Sequence, residues 1–163
     1  MSDSGKLHIG KYAFLLDVAN LIVLLLFFFV VIYYYGQLPE EIPIRFDAKG
    51  TPIAHRGKAT LFVFPMLALL ISVILFLIRR QPGMMNYPVE VTDENEADLY
   101  QESSQLISGI MLVTNVLIFY SCWNIVQIAL GHSTGISPSF LWIPILLIAL
   151  LAYNAFRRMK KLG

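Results

Sequence analysis

The chain has 163 residues, 57% of them hydrophobic and only 14% charged, with a formal net charge of +1. Soluble domains carry about 25% charged residues, so this composition excludes an ordinary water-soluble domain, and the near-zero net charge excludes a nucleic-acid partner. A single cysteine, Cys122, excludes an internal disulfide and any cysteine-based metal centre.

The first predicted element is a membrane-spanning helix over 13–35, built on the unbroken apolar core Leu21–Ile32. A helix needs roughly 20 apolar residues to cross a hydrocarbon core about 30 Å thick. Helices apolar on every side belong in lipid or in a very large core. The segment is too long for a signal-peptide apolar region and lacks a small-residue cleavage site before Gln37, which predicts a retained span. Position 2 is Ser2, so no myristoylation motif precedes it. Asp17 lies near the inner end of this span, one turn from Asn20. An intramembrane carboxylate is a functional candidate by default; the competing reading is a structural ion pair with Lys11 or with the basic inner helix ends.

The loop Gly36–Lys58 follows its own local rules. Pro39 and Pro43 fix extended backbone. Ile42, Ile44 and Phe46 alternate as in a short strand. Asp47-Ala-Lys-Gly50 is a turn in which Gly50 takes positive φ without steric cost. The second span covers 59–78. After Pro88 the chain is extended, then a helix is predicted from about Asp93, with Thr92 or Asp93 as N-cap and Asp93-x-x-Glu96 as a capping box.

That helix runs into the third span, 106–130, which carries Thr114, Asn115, Ser121, Asn124 and Gln127. Lipid offers such groups no partner, so they face other helices. Hydrogen bonds between helices contribute about 0.6 kcal/mol on average in membranes; helix glue and a polar cavity for a small ligand are the two readings. Cys122 reads as a small buried apolar residue. The short turn Gly131–Ser137 leads to a fourth span over 138–156, in which Asn154 either pairs across to the third span or lies at the inner interface.

Basic residues set the orientation. Lys6, Lys11, Arg79, Arg80, Arg157, Arg158, Lys160 and Lys161 fall on one side, and Arg45, Lys49, Arg56 and Lys58 on the other. Eight against four places both termini in the cytoplasm and Gly36–Lys58 outside. Tyr33, Tyr34 and Tyr35 then form an interfacial aromatic belt. The fold class that follows is all-α integral membrane: one domain over 1–163, a four-transmembrane-helix bundle with a short ordered extracytoplasmic loop between helices 1 and 2.

The series Leu38-Pro39-x-x-Ile42-Pro43-Ile44-x-Phe46-x-x-x-Gly50, followed by Gly57-Lys58 at the start of the second span, resembles the bacterial DUF1648 family. That domain also forms the N-terminal part of SdpI-type immunity proteins. Asn86-Tyr87-Pro88-Val89 and Thr92-x-Glu94-Asn95-x-x-x-x-Tyr100 look like the segment after the second span in short, four-span members, which extends the resemblance over nearly the whole chain. One departure stands out. The family usually has histidine before this phenylalanine, where the chain has Arg45. Arginine stays protonated, so neutral imidazole chemistry and metal ligation are closed to it.

The resemblance implies a bacterial inner-membrane protein that is not an enzyme, in toxin immunity or envelope-stress sensing. Its partners would be the lipid bilayer and a peptide toxin or another membrane protein. The candidate binding residues are Arg45, Asp47, Lys49, His55 and Arg56, on the most accessible loop. The second reading is a small transporter or channel subunit, a homo-oligomer in which Asp17, Asn115, Asn124 and Gln127 line a path. No metal or cofactor is expected: His55 and His132, even with Asp47, Glu40 or Glu41, lack ligand spacing. Ser133 beside His132 does not make a triad.

Overall fold

Four helices long and apolar enough to cross a membrane dominate the computed structural model, which describes residues 9–137 and 142–163. They are α1 (Lys11–Tyr35), α2 (Val63–Arg79, preceded by a 3-10 stretch Lys58–Phe62), α3 (Glu96–Ala129) and α4 (Trp142–Met159). Ser2, Lys6 and the start of the predicted fourth span at 138–141 lie outside the described residues. Most apolar side chains point outward. Phe14, Leu25, Phe29, Leu70, Leu146 and Leu150 are all at least half exposed, a far larger apolar surface than a soluble monomer shows.

The buried positions are few and regularly spaced. In α1 they are Ala13, Asn20, Leu24, Phe27 and Val31; in α2, Pro65, Ala68, Ser72 and Arg79. In α3 they include Ser104, Ser108, Met111, Asn115, Cys122 and Ile125. Steps of three, four and seven keep one narrow stripe of each helix against its neighbours. The helix α3 is the hub and packs against α1, α2 and α4, while α1 and α2 touch each other much less. Towards one end the stripes are apolar: Leu24, Phe27, Val31, Ala68, Cys122, Ile125 and Val126 form one core, with Phe27 edge-on to Phe119 at 5.2 Å.

One expectation needs correction. The chain is not all-α: the segment between α1 and α2 forms an antiparallel hairpin of β1 (Glu41–Phe46) and β2 (Pro52–Gly57). Among the four helices, α4 packs on α3 and makes no comparable contact with α1 or α2 among the described residues. The alternation of Ile42, Ile44 and Phe46 is what allows the hairpin; those side chains turn into the core under β1, with Leu38 and Leu61.

The hairpin turn is a local construction. Gly50 N donates to Asp47 O and Asp47 N to Thr51 O, both at 3.0 Å. Asp47 Oδ1 accepts from Lys49 N and Thr51 N, each at 2.8 Å. Gly50 has φ +82°, so three residues form a type I turn closed by a glycine bulge. The turn is also pinned from outside. Ile136 N donates to Gly50 O at 3.0 Å, and a Cβ on Gly50 would fall 1.7 Å from Ile136 O. A Cβ on Gly135 would fall 2.5 Å from Gly50 O. The hairpin tip is thus held backbone to backbone against the connection that follows α3.

At the opposite end α3 starts at Glu96, three residues later than expected, and the capping box at Asp93 does not form. The reason is Asn95. Its Oδ1 accepts from Thr92 N at 2.8 Å, and its Nδ2 donates to Glu90 O and Leu162 O. Asn95 therefore ties the segment before α3 to the residues after α4, beside the small cluster Leu99, Ala155 and Met159.

Replacing Gly50 by alanine is expected to cost at least about 1–2 kcal/mol from the left-handed backbone alone, plus the clash with Ile136. Thermal unfolding in detergent, with protease access at Lys49, measures it; a G50A protein as stable and as protease-resistant as the parent would refute the pinned turn.

Candidate functional site

Two groups of polar side chains stand apart from the apolar framework. The first is buried between α1, α2 and α3 and has two layers. In one layer Arg79 Nη1 donates to Asp17 Oδ1 at 2.8 Å, and Arg79 Nη2 faces Asp17 Oδ2 at 2.8 Å. Only the first of these contacts has hydrogen-bond geometry; it is charge-assisted on both sides and therefore strong, and the second adds ion-pair attraction. Ser108 completes it: its Oγ donates to Asp17 Oδ1 at 2.8 Å and accepts from Arg79 Nη1. The Arg79 side chain is 1% exposed and that of Asp17 24%.

In the second layer Asn115 Nδ2 donates to Asn20 Oδ1 and to Ser72 Oγ, each at 2.7 Å. Ser72 in turn donates to Ala68 O at 2.8 Å. The arrangement follows from helix spacing. Ser72 and Arg79 are seven residues apart on α2, Ser108 and Asn115 seven apart on α3, so each pair lies two turns apart on one face. Asp17 and Asn20 are one turn apart on α1, and the long arginine side chain spans the difference. Asn115 Oδ1, Arg79 Nε and Arg79 Nη2 remain without hydrogen-bond partners although buried, as does Ser104 Oγ on α3.

Beside this network, where α1 and α2 stand apart, lies a cleft of about 280 Å³ lined by Asp17, Asn20, Ser72, Val73, Phe76 and Met111 among others. Of the two partners expected for Asp17, the inner helix end supplies the ion, not Lys11. Asn115 joins Asp17's network as a neighbour. Asn124 and Gln127 do not: Asn124 Nδ2 bonds its own helix at Tyr120 O, and Gln127 Oε1 meets His132 Nδ1 at 3.0 Å. Ser121 likewise bonds back to Leu117 O, and Asn154 makes no side-chain hydrogen bond to any described residue. Sequence reasoning missed Ser72 and Ser108, and offered Arg79 to Asp17 only as one of several basic inner helix ends. The sevenfold spacing of polar residues in otherwise apolar helices was the signal available.

The second group is the outward surface of the hairpin. Arg45, Asp47, Lys49, His55 and Arg56 are all exposed. Arg45 stands opposite Ala54, His55 opposite Pro43 and Arg56 opposite Ile42. The Asp47 carboxylate accepts through Oδ1 from two backbone N–H groups of its own turn, which helps to hold the loop. That leaves Arg45, Lys49 and Arg56 as exposed hairpin cations with no carboxylate ion-paired to them among the described residues. Lys58 is different: it pairs with Glu40 at 3.0 Å and lies over the Tyr35 ring at 5.2 Å, joining α1 to the start of α2. Beneath the hairpin a cleft of about 400 Å³ runs between Phe46, Asp47 and Phe64 on one side and Ser121, Ile125 and Ile136 on the other. Among the described residues no three His, Cys, Asp or Glu side chains converge as metal ligands would, and His55 and His132 do not meet.

Residues 21–69 match the family described as Domain of unknown function (DUF1648). The match runs from within α1 through the hairpin to the middle of α2. The Asn86–Val89 and Thr92–Tyr100 segments lie beyond the matched stretch. Asp17, Arg79, Ser108 and Asn115 also lie outside the matched stretch. No curated protein and no solved structure shows significant similarity to the chain.

Asp17→Asn is expected to destabilise the protein by about 3 kcal/mol, the low end for breaking a buried pair, because Asp17 is partly exposed. The paired variant D17N/R79M should be less destabilised than D17N alone, since it removes the stranded charge. Unfolding titrations of D17N, R79M and D17N/R79M decide it: strictly additive effects would mean that the two residues are not coupled.

Proposed function

We propose that this chain, which carries a DUF1648 domain over residues 21–69, is a non-enzymatic binding protein of the bacterial cytoplasmic membrane, embedded through its four helices with both termini inside. The excess of basic residues at the end opposite the hairpin supports that orientation, as does the shell of apolar side chains around the helices. The hairpin is then the extracytoplasmic surface, and its partner is a peptide in toxin immunity or envelope-stress sensing.

One observation carries this reading: a basic surface is mounted on a backbone that cannot give way. The Gly50–Gly135 approach fixes the hairpin tip, and Leu38, Ile42 and Leu61 bury its base. Binding to a preformed surface avoids the entropic cost of ordering a loop. Arg45, Lys49 and Arg56 favour an anionic or C-terminal carboxylate group on the partner. The neighbouring cleft under Phe46 and Phe64 suits an apolar side chain beside that group. The transport reading has less support. The polar layers end at Asn115, and Leu24, Phe27 and Val126 then fill the space between the helices, so one copy offers no polar path from end to end.

Charge reversal at Arg45 or Arg56 is expected to weaken capture of an amphipathic acidic peptide by roughly tenfold or more, about 1.4 kcal/mol, and to abolish any protection that expression gives against a membrane-active peptide. Lys49→Ala should do less. Equal protection by the parent and R45E/R56E proteins at equal membrane abundance would end this proposal. So would labelling that finds residue 50 and residue 163 in one compartment.

A further inference from the structure

We infer that the cleft between α1 and α2 is a second, separate site, which takes the hydroxyl of a neutral, lipid-phase amphiphile such as a long-chain or isoprenoid alcohol. The inference rests on the membrane embedding proposed above, but not on the hairpin surface.

The chemistry of the cleft is specific. Asp17 Oδ2 is met by Arg79 Nη2 alone, which leaves it acceptor capacity. Asn20 gives its Oδ1 to Asn115, while its Nδ2 has no hydrogen-bond partner among the described residues. Asn20 is 4% exposed, but its Nδ2 is not one of the fully buried unpartnered atoms, and the residue lies with Asp17 along the cleft wall. An amide N–H that meets an apolar surrounding without an acceptor costs free energy. An acceptor site and a donor side by side are the complement of a hydroxyl, which donates one hydrogen bond and accepts another.

Charge decides which hydroxyl compounds fit. Arg79 and Asp17 already neutralise each other, so a phosphate or an ammonium would introduce an uncompensated charge into an apolar surrounding. A plain hydrocarbon would leave Asn20 Nδ2 unpaired. A neutral alcohol does neither.

Position and size agree. Asp17 lies six residues into α1, about 9 Å along the helix axis, and Arg79 is the last residue of α2. The cleft is therefore just below the level where these helices leave the membrane, the depth of a lipid's first polar group. Its mouth opens sideways between two helices that touch little, and Leu21, Leu24, Val73 and Phe76 form its walls. About 280 Å³ is the share of roughly nine waters. That holds a hydroxyl and the first carbons of a chain whose remainder trails into the bilayer.

The test uses the full chain purified in detergent, with 1-decanol, geraniol, decane and decyl phosphate as probes. Thermal unfolding and native mass spectrometry are the readouts. Both alcohols are expected to raise the unfolding temperature saturably and to appear as one-to-one adducts; decane and decyl phosphate should bind at least tenfold more weakly. A stronger effect of geraniol points to an isoprenoid source, and of decanol to a straight-chain one; either supports the site. Val73→Phe fills the cleft without touching the hydrogen-bond network, and should remove the alcohol effect while leaving the unliganded protein folded. Leu21→Phe serves the same purpose if V73F does not fold. Equal stabilisation by decane and decanol, or an alcohol effect that survives both filling variants, overturns the inference. Failure of this test leaves the membrane reading intact, because that is decided separately by whether the protein stays monodisperse without detergent.

Discussion

A guanidinium that is 1% exposed cannot remain unpaired in an apolar helix assembly. That requirement organises the end of the molecule opposite the hairpin. Arg79 ends α2, and its partner Asp17 belongs to α1. Ser108 on α3 bonds to both, so the three helices meet at one set of atoms. A charge pair of this kind adds little net stability against a well-packed apolar alternative. Its larger effect is on register: sliding α2 by one turn would strand the cation in hydrocarbon. The Asn20–Ser72–Asn115 layer repeats the constraint one step further along.

The other end of the assembly is specified differently. There the stripes are apolar, and packing is made by Leu24, Phe27, Val31, Ile125 and Val126 with the hairpin laid over them. In the proposed membrane setting there is no hydrophobic driving force between helices comparable to that in water, so close fit and a few hydrogen bonds would have to supply the association. The contact of Gly50 with Gly135 and Ile136 is such a fit. It transmits the position of α3 to the hairpin tip, which is why the exposed basic residues project from a defined frame. The polar network and the hairpin are thus separated by an apolar layer but share α3.

The helix α4 contributes less to either. It meets α3 near Gly109, where Leu151 packs into the space a Cβ would take. At its far end the Asn95 bonds and the Leu99–Ala155–Met159 cluster hold it. This anchoring is also what displaces the start of α3 to Glu96. An asparagine whose side chain bridges two other segments cannot simultaneously cap the helix it precedes, and the acidic first turn, Glu96 and Asp98, remains to complement the helix dipole.

What the sequence determined by itself was whatever depends on local order and on solvent. A membrane-crossing helix needs roughly 20 predominantly apolar residues, and stretches of that kind made the four long helices legible within a few residues. Alternation, two prolines and an Asp-x-x-Gly turn were enough to foresee a strand and a positive φ at Gly50. The tertiary structure decided everything that required knowing which helix faces which. Helices apolar on all sides carry almost no amphipathic signal, so the buried stripe was hidden, and Arg79 looked like an ordinary interfacial cation. The choice of Arg79 over Lys11 for Asp17, the separation of Asn115 from Asn124 and Gln127, and the meeting of two glycines 85 residues apart in sequence all depend on distances between segments. Local propensity contains no term for those distances.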